Sequence, residues 1–327
     1  MSLLEVTDLK VSFHTSDGIV QAVRGISFAI DSGRTLGIVG ESGSGKSVST
    51  QTLMGLNAGA RVSGTALFEG QDLLTMSPEQ LRRIRGAQIG MIFQDPLSSL
   101  HPYYTVGWQI VEMIQAHRDT SRAAAQRRAA ELLSLVGIPH ASQRINDYPH
   151  QFSGGMRQRV MIAMAMALDP ALLVADEPTT ALDVTVQAQI LDLMRDLKRR
   201  VGAAIVLITH DLGVVAEVAE HVVVMYAGRK VEEAPVRVLF GRPRHPYTKG
   251  LLGAVPKIGS SLSEDESRLA EIPGLVPALK QRIEGCVFAS RCAEATAVCR
   301  SVAPALEAKA TAHWVACHYA EREAVPA

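Results

Sequence analysis

A glycine-rich octapeptide carries the clearest chemical signal in the sequence. Residues 40–47 read GESGSGKS and match the pattern G-x-x-x-x-G-K-[ST]. The glycines let successive backbone N–H groups turn inward to hold phosphate oxygens, and the positive N-terminus of a following helix adds to the attraction. A plain strand-to-helix turn rich in Gly and Ser is the alternative. We expect Lys46 to reach the β- and γ-phosphates of a nucleotide and Ser47 to ligate Mg²⁺. The expected nucleotide contacts are Gly40, Glu41, Ser42, Gly43, Ser44, Gly45, Lys46 and Ser47.

Two adjacent carboxylates form a second candidate site. Asp176 and Glu177 follow the apolar run ALLVA at residues 171–175. An aspartate at the end of such a strand holds Mg²⁺ in enzymes that have a phosphate loop. A glutamate one residue further along can polarise an attacking water as a general base. The pattern is weak alone, because charged residues often end buried strands, but together with the phosphate loop it predicts nucleotide hydrolysis.

All four cysteines lie near the end of the chain, at Cys286, Cys292, Cys299 and Cys317. Their spacing is wider than the close pairs of structural zinc sites and differs from common ferredoxin spacings. From the spacing alone, a four-thiolate metal site and buried free thiols are equally good interpretations. Arg291 and residues 280–282 (KQR) could offset the charge of a metal cluster, but a solvated basic surface is the better interpretation.

Alternating strands and helices must position these residues. Strands are predicted at 3–13, 20–30, 35–39, 66–68, 89–93, 172–175, 204–209 and 221–226. Helical patterns start near Lys46 and cover 122–136 and 186–200. The alternation predicts an α/β protein with a mostly parallel sheet, and the first two strands form an antiparallel region. We expect a nucleotide-binding domain at 1–258 with a helical subdomain at about 95–167, followed by a small cysteine-containing segment at 259–327.

Composition narrows the class of protein. The chain has 327 residues, of which 47% are hydrophobic, and its 33 Lys and Arg balance its 33 Asp and Glu. This net charge of zero disfavours a nucleic-acid partner. No apolar run approaches the length of a membrane span, and the first residues do not resemble a secretion signal. With the cysteines confined to the end of the chain, we expect a cytoplasmic protein.

Further motifs connect the phosphate loop with a known family. Residues 152–159 (FSGGMRQR) open an apolar helix, which read alone is a serine N-cap followed by two glycines. Gln94 ends the run IGMIFQ, residues 181–183 read ALD, and His210 follows the strand AIVLIT. In this order the motifs resemble the ATP-binding cassette (ABC) family, whose signature LSGGQ is similar to residues 152–156 with Phe for Leu and Met for Gln.

The resemblance implies roles for these residues in ATP hydrolysis. It implies that Gln94 is a Q-loop residue that contacts ATP and Mg²⁺ and that His210 is the switch histidine, so both join Glu177 as catalytic candidates. It further implies a D-loop with a nucleotide contact at Asp183, and Phe13 is the candidate for stacking on adenine. The signature residues Ser153, Gly154 and Gly155 are implied to bind ATP held by a second cassette.

The C-terminal segment resembles one branch of the family. Residues 245–252 (HPYTKGLL), 271–279 (EIPGLVPAL), 285–292 (GCVFASRC) and 315–318 (VACH) are similar to the tail of ATP-binding subunits of dipeptide and oligopeptide importers. This resemblance implies a [4Fe–4S] cluster on the four cysteines.

The same resemblance implies partners and a location. It implies a related but distinct second cassette, two membrane permeases and a periplasmic or extracellular substrate-binding protein, with the chain peripheral on the cytoplasmic face of the membrane. Residues 95–108 would receive a permease coupling helix, using Tyr103, Tyr104 and Trp108, although core packing is an equal interpretation for Trp108. Soluble ABC proteins of translation or DNA repair are the alternative, but they carry two cassettes or a long coiled coil.

Overall fold

The computed structural model describes residues 2–180, 182–254, 272–280 and 283–320. The described strands are β1 (Leu4–Thr15), β2 (Gly18–Ile30), β3 (Thr35–Val39), β4 (Arg61–Phe68), β5 (Gln71–Asp72), β6 (Ile89–Ile92), β7 (Leu172–Asp176), β8 (Ala204–Thr209), β9 (His221–Tyr226), β10 (Arg229–Pro235), β11 (Glu307–Ala310) and β12 (His313–Val315). The described α-helices are α1 (Lys46–Leu53), α2 (Pro78–Ile84), α3 (Pro96–Ser99), α4 (Val106–His117), α5 (Arg122–Leu135), α6 (Ala141–Arg144), α7 (Gly154–Ala165), α8 (Val184–Val201), α9 (Leu212–Val218), α10 (Val236–Gly241), α11 (Pro246–Gly253) and α12 (Ala297–Ser301).

The predicted strands are confirmed, and where the observed bounds differ from the predicted ones, most differences are at the ends of the strands. Strands β3, β8 and β9 have the predicted bounds. Strand β4 begins at Arg61, five residues before its prediction, because its polar first half pairs with β1 in antiparallel register. The residues that lie outside the described part of the chain include Ala181 of the predicted D-loop, the first part of the predicted C-terminal segment at 259–271, and residues 281–282 of the basic cluster.

The chain divides into two compact units. The first includes residues 30–35 and 75–208, and its strands β6, β7 and β8 pair in parallel. Every residue of β7 and β8 is buried, as expected for strands covered on both faces. Helix α8 turns one apolar face inward, where Ile190, Leu191, Met194 and Leu197 are buried.

The second unit includes residues 4–29, 36–74 and the described residues from 209 onward. It contains a sheet of strand order β2-β1-β4-β5 and a second set in which β3 pairs in parallel with β9. Strand β9 continues antiparallel to β10, and β12 adds to the far edge of β10. Strand β12 thereby joins the C-terminal segment to the rest of this unit.

Aromatic side chains fill the core of the second unit. The rings of Tyr226 and Tyr247 lie 4.7 Å apart, and the ring of Phe288 lies 5.2 Å from Tyr226 and 5.4 Å from Tyr247. Phe288 belongs to the C-terminal segment and lies in the same core as Val39 of β3, the strand that precedes the phosphate loop. Among the residues described, no helix is long and apolar enough to cross a bilayer.

Candidate functional site

The phosphate loop lies between β3 and α1 in the second unit. Gly40, Gly43 and Gly45 have positive φ angles of 153°, 77° and 95°, which only glycine adopts readily. A Cβ atom at Gly40 would lie 2.1 Å from the Met225 carbonyl oxygen, and one at Gly45 would lie 2.3 Å from the Ala22 carbonyl oxygen. The backbone is therefore packed so closely that these two positions require glycine.

Two polar side chains of the loop are buried in a way that fits a phosphate ligand. Lys46 is 4% exposed, and its ammonium group donates hydrogen bonds to the carbonyl oxygens of Gly40 at 2.7 Å and Glu41 at 3.0 Å. The Ser44 hydroxyl is buried and has no hydrogen-bond partner within the described chain. Because a buried polar atom without a partner is costly, a bound phosphate oxygen would stabilise this arrangement.

Glu41 is held by residues far along the sequence. Its N–H donates to the Tyr247 hydroxyl at 2.8 Å, and its carboxylate accepts hydrogen bonds from Arg291 at 2.6 and 3.1 Å. The Arg291 side chain is 5% exposed, so its interpretation as part of a solvated basic surface is wrong. Its burial follows from its partners, which satisfy a guanidinium group away from water. Lys280, in contrast, is half-exposed and pairs with Asp17.

The carboxylate site lies in the first unit at the end of β7. Asp176 is 2% exposed, and Glu177 follows it with a positive φ angle of 49°. Glu177 Oε2 accepts two hydrogen bonds. One comes from the Gln94 side-chain amide at 3.0 Å and the other from the Thr180 hydroxyl at 2.9 Å. The structure thus brings Gln94 and Glu177 together, and it adds Thr180, which sequence reasoning missed although it lies only three residues after the glutamate.

The signature lies in the first unit at the start of α7. Ser153 is the N-cap, and its hydroxyl accepts a hydrogen bond from the Met156 N–H at 3.4 Å. Ser153 and Gly154 are exposed, while Gly155 faces Val186, to whose Cγ1 a Cβ atom would lie 2.9 Å away. The positive end of this twelve-residue helix is therefore open at the surface of the unit.

The remaining site residues lie at the ends of other elements. Phe13 is half-buried on β1, and His210 is exposed directly after β8, both in the second unit. Asp183 is exposed in the first unit, where its carboxylate caps α8 by accepting a hydrogen bond from the Val186 N–H at 2.9 Å. The D-loop aspartate thus has a local structural role in addition to any contact with nucleotide.

The iron–sulfur prediction is wrong. All four cysteines are among the described residues, and across those residues no three His, Cys, Asp or Glu side chains are grouped to hold a metal ion. The cysteines are free thiols, and burial raises the pKa of Cys286 to about 11 and raises those of Cys292 and Cys317. A cysteine must be a thiolate to bind a metal, and a raised pKa disfavours the thiolate. The burial of these side chains therefore favours the other interpretation of the spacing, which is partly buried free thiols.

Comparison with known families and proteins shows which family the chain is similar to. Residues 23–180 match the ABC transporter family, and residues 231–299 match the C-terminal region of oligopeptide/dipeptide transporters. The chain is 52% identical to a probable peptide ABC transporter ATP-binding protein of Sinorhizobium fredii, covering 96% of this chain and 94% of that protein. It is 49% identical to the dipeptide transport ATP-binding protein of Escherichia coli, covering 98% and 97% of the two chains.

Solved structures share the fold over most of the chain. A dimeric ATP-binding cassette in a post-hydrolysis state, bound to ADP and Pi, matches with a TM-score of 0.65 and 26% identity, covering 72% of this chain and 99% of that one. A subunit of a Clostridium perfringens ABC transporter complex matches with a TM-score of 0.62 and 29% identity, covering 73% and 91%. On these identities and coverages, the chain belongs to the family of ATP-binding proteins of peptide ABC transporters.

Proposed function

We propose that this chain hydrolyses ATP to drive the uptake of peptides across the cytoplasmic membrane through partner permeases. The observation that carries the ATPase assignment is the phosphate loop, in which the buried Lys46 ammonium donates to two loop carbonyls and the buried Ser44 hydroxyl has no hydrogen-bond partner among the described residues. The peptide assignment rests on the relatives, which are named as peptide and dipeptide transport proteins. We assign residues 1–258 to the cassette, about 95–167 to its helical subdomain and 259–327 to the importer-type segment.

Each motif has a chemical task in this proposal. Lys46 and the loop N–H groups bind the β- and γ-phosphates, and Phe13 stacks on adenine. Ser47, Gln94 and Asp176 would hold Mg²⁺, which when bound neutralises charge on the phosphate oxygens. The other nucleotide contacts are Gly40, Glu41, Ser42, Gly43, Ser44, Gly45 and Asp183.

Glu177 is the general base of the hydrolysis. Its carboxylate accepts a proton from water as the water oxygen attacks the γ-phosphorus and the bond to the leaving ADP oxygen breaks. The hydrogen bonds from Gln94 and Thr180 hold the carboxylate in place, since both end on the same oxygen. His210 contributes a polar contact to the γ-phosphate, which completes the catalytic set.

The signature acts on ATP held by a second cassette. Ser153 and Gly154 present the open N-terminus of α7 at the surface, and such a terminus attracts phosphate. The solved cassette described as a dimer supports a pairing of two cassettes. We further propose that the partner is a related but distinct subunit and that a periplasmic or extracellular protein delivers the peptide.

An exposed aromatic cluster is the proposed contact with the permeases. Tyr104 and Trp108 stack with their ring centroids 4.0 Å apart and are 42% and 40% exposed, while Tyr103 is 82% exposed. Apolar rings of this kind are enriched in protein interfaces. Contact with two permeases would hold the chain at the cytoplasmic face of the membrane as a peripheral subunit.

Co-purification from the native host tests this assignment. We expect the tagged chain, extracted from membranes in mild detergent, to recover two permeases and a second cassette, and the complex to hydrolyse ATP. A Lys46→Ala complex should assemble but lose most of that hydrolysis. Recovery with ribosomes or DNA, or equal hydrolysis by the Lys46→Ala complex, would contradict the proposal.

A further inference from the structure

A salt bridge connects the C-terminal segment with the phosphate loop. Arg291 Nη1 lies 2.6 Å from Glu41 Oε2, and Nη2 lies 3.1 Å from Glu41 Oε1, so the pair is bidentate. The Arg291 side chain is 5% exposed and that of Glu41 is 28% exposed. A bidentate pair shielded from water is held in one geometry more strongly than an exposed surface pair.

Two carbonyl groups of the C-terminal segment and the hydroxyl group of Tyr226 on β9 also hold the guanidinium group. Arg291 Nε donates to the Pro273 carbonyl oxygen at 2.9 Å, Nη2 also donates to the Ile272 carbonyl oxygen at 2.9 Å, and Nη1 also donates to the Tyr226 hydroxyl at 3.4 Å. With the two bonds to Glu41, these account for the five N–H donors of an arginine. Lysine, with one ammonium group, could not make this set.

Glu41 connects Arg291 with the phosphate-binding Lys46 through hydrogen bonds. Its carboxylate is bound by Arg291, its N–H donates to the Tyr247 hydroxyl, and its carbonyl oxygen accepts a hydrogen bond from Lys46 at 3.0 Å. The residue is therefore held by both its side chain and its backbone. A shift of Glu41 would move one of the two carbonyl acceptors that orient the Lys46 ammonium group.

We propose that Arg291 is a positioning residue for ATP binding, which acts through Glu41 to hold the phosphate loop and so makes nucleotide affinity depend on the C-terminal segment. The inference deepens the proposed function and rests on it, because it assumes that the phosphate loop binds ATP. Loss of a charge-assisted hydrogen bond changes an equilibrium by about tenfold or more, so we expect about a tenfold weaker affinity for ATP without Arg291.

Equilibrium titration of the full chain with a fluorescent ATP analogue and Mg²⁺ tests the proposal. Arg291→Ala and Glu41→Gln should each weaken affinity by about tenfold, and the double variant should be no weaker than either single variant, because both changes break one pair. Arg291→Lys should restore part of the affinity. Arg300→Ala, which removes an exposed arginine of the same segment, is the matched control and should bind normally.

The outcomes separate this inference from the proposed function. Glu41→Gln changes no residue of the C-terminal segment, so it tests the pair even where Arg291→Ala fails to fold. Normal affinity in Glu41→Gln, or fully additive losses in the double variant, would overturn the positioning role of Arg291 while Lys46→Ala still weakens binding. Normal affinity in Lys46→Ala itself would instead overturn the nucleotide-binding role of the loop.

Discussion

Replacing Glu177 by Gln removes the proposed base and little else. Gln94 and Thr180 both donate to Oε2 of Glu177, so the single carbonyl oxygen of a glutamine can keep both hydrogen bonds. Glu and Gln have the same length and the same unbranched Cβ, so the substitution adds no strain at the φ angle of 49°. General base catalysis contributes roughly 10²- to 10⁴-fold to a rate, equivalent to about 2.7 to 5.4 kcal/mol of barrier. We expect the hydrolysis rate of the assembled transporter to fall by this factor while ATP affinity stays unchanged.

Phosphate release at saturating ATP measures this effect directly. Glu79→Gln makes the same chemical change at an exposed residue of α2 in the same unit, and we expect it to hydrolyse ATP normally. A separate titration of each variant with ATP shows whether binding survives. A Glu177→Gln complex that releases phosphate within a few-fold of the native rate would refute the role of Glu177 as the base.

Two further predictions concern the second unit. Burial lowers the pKa of His245 to about 3, below its ordinary value of 6.5. Between these two pH values the imidazole binds a proton in the unfolded chain but not in the folded one, so the free energy of unfolding falls as the pH falls. Denaturant unfolding should show the native chain losing about 2 kcal/mol more than His245→Asn between pH 7 and pH 5, and an equal loss in both would contradict the assignment. Gly45→Ala should abolish ATP binding, because its Cβ would lie 2.3 Å from the Ala22 carbonyl oxygen. Gly59→Ala is the control, because Gly59 also has a positive φ angle but a Cβ atom there would meet nothing within 4 Å, and we expect this variant to bind ATP normally. If Gly45→Ala also binds ATP normally, the steric argument is wrong.

Local sequence patterns predicted the strands that are buried apolar runs. Strands β3, β8 and β9 were predictable to the residue, because each is a short run of residues such as Val, Ile and Leu that is almost wholly buried. The phosphate loop was predictable for a similar reason, since its function requires particular residues at fixed spacing. Helix α7 was predictable from its serine cap and the apolar run that follows.

Residues with distant partners were not predictable in this way. Strand β10 contains Glu232, which reads as an exposed residue but is 0% exposed and accepts hydrogen bonds from the N–H groups of Arg244 and His245 and from the His313 ring. Its ring partner is 81 residues away along the chain, and the partner of Arg291 is 250 residues away. A polar residue can be buried when such a partner exists, and spacing in the sequence does not reveal it.

The four cysteines show a second limit of prediction from sequence. Their spacing left a metal site and free thiols equally open, and only a family resemblance favoured the metal. The structure describes all four as free thiols, with none of the described residues grouped as a metal site. The arrangement of ligands in space decides such a question, and loosely spaced cysteines do not determine that arrangement.

Peptide uptake by the reconstituted transporter tests the central proposal most directly. Proteoliposomes would contain the complex of this chain, its partner cassette and two permeases, with ATP and Mg²⁺ on the side that faces the cassettes and the binding protein with a labelled peptide on the other. We expect the native complex to accumulate peptide only when ATP is present, and the Glu177→Gln complex to bind ATP but accumulate almost none. Equal accumulation by the two complexes, or ATP hydrolysis that no peptide stimulates and no uptake accompanies, would contradict the proposal that this chain powers peptide import.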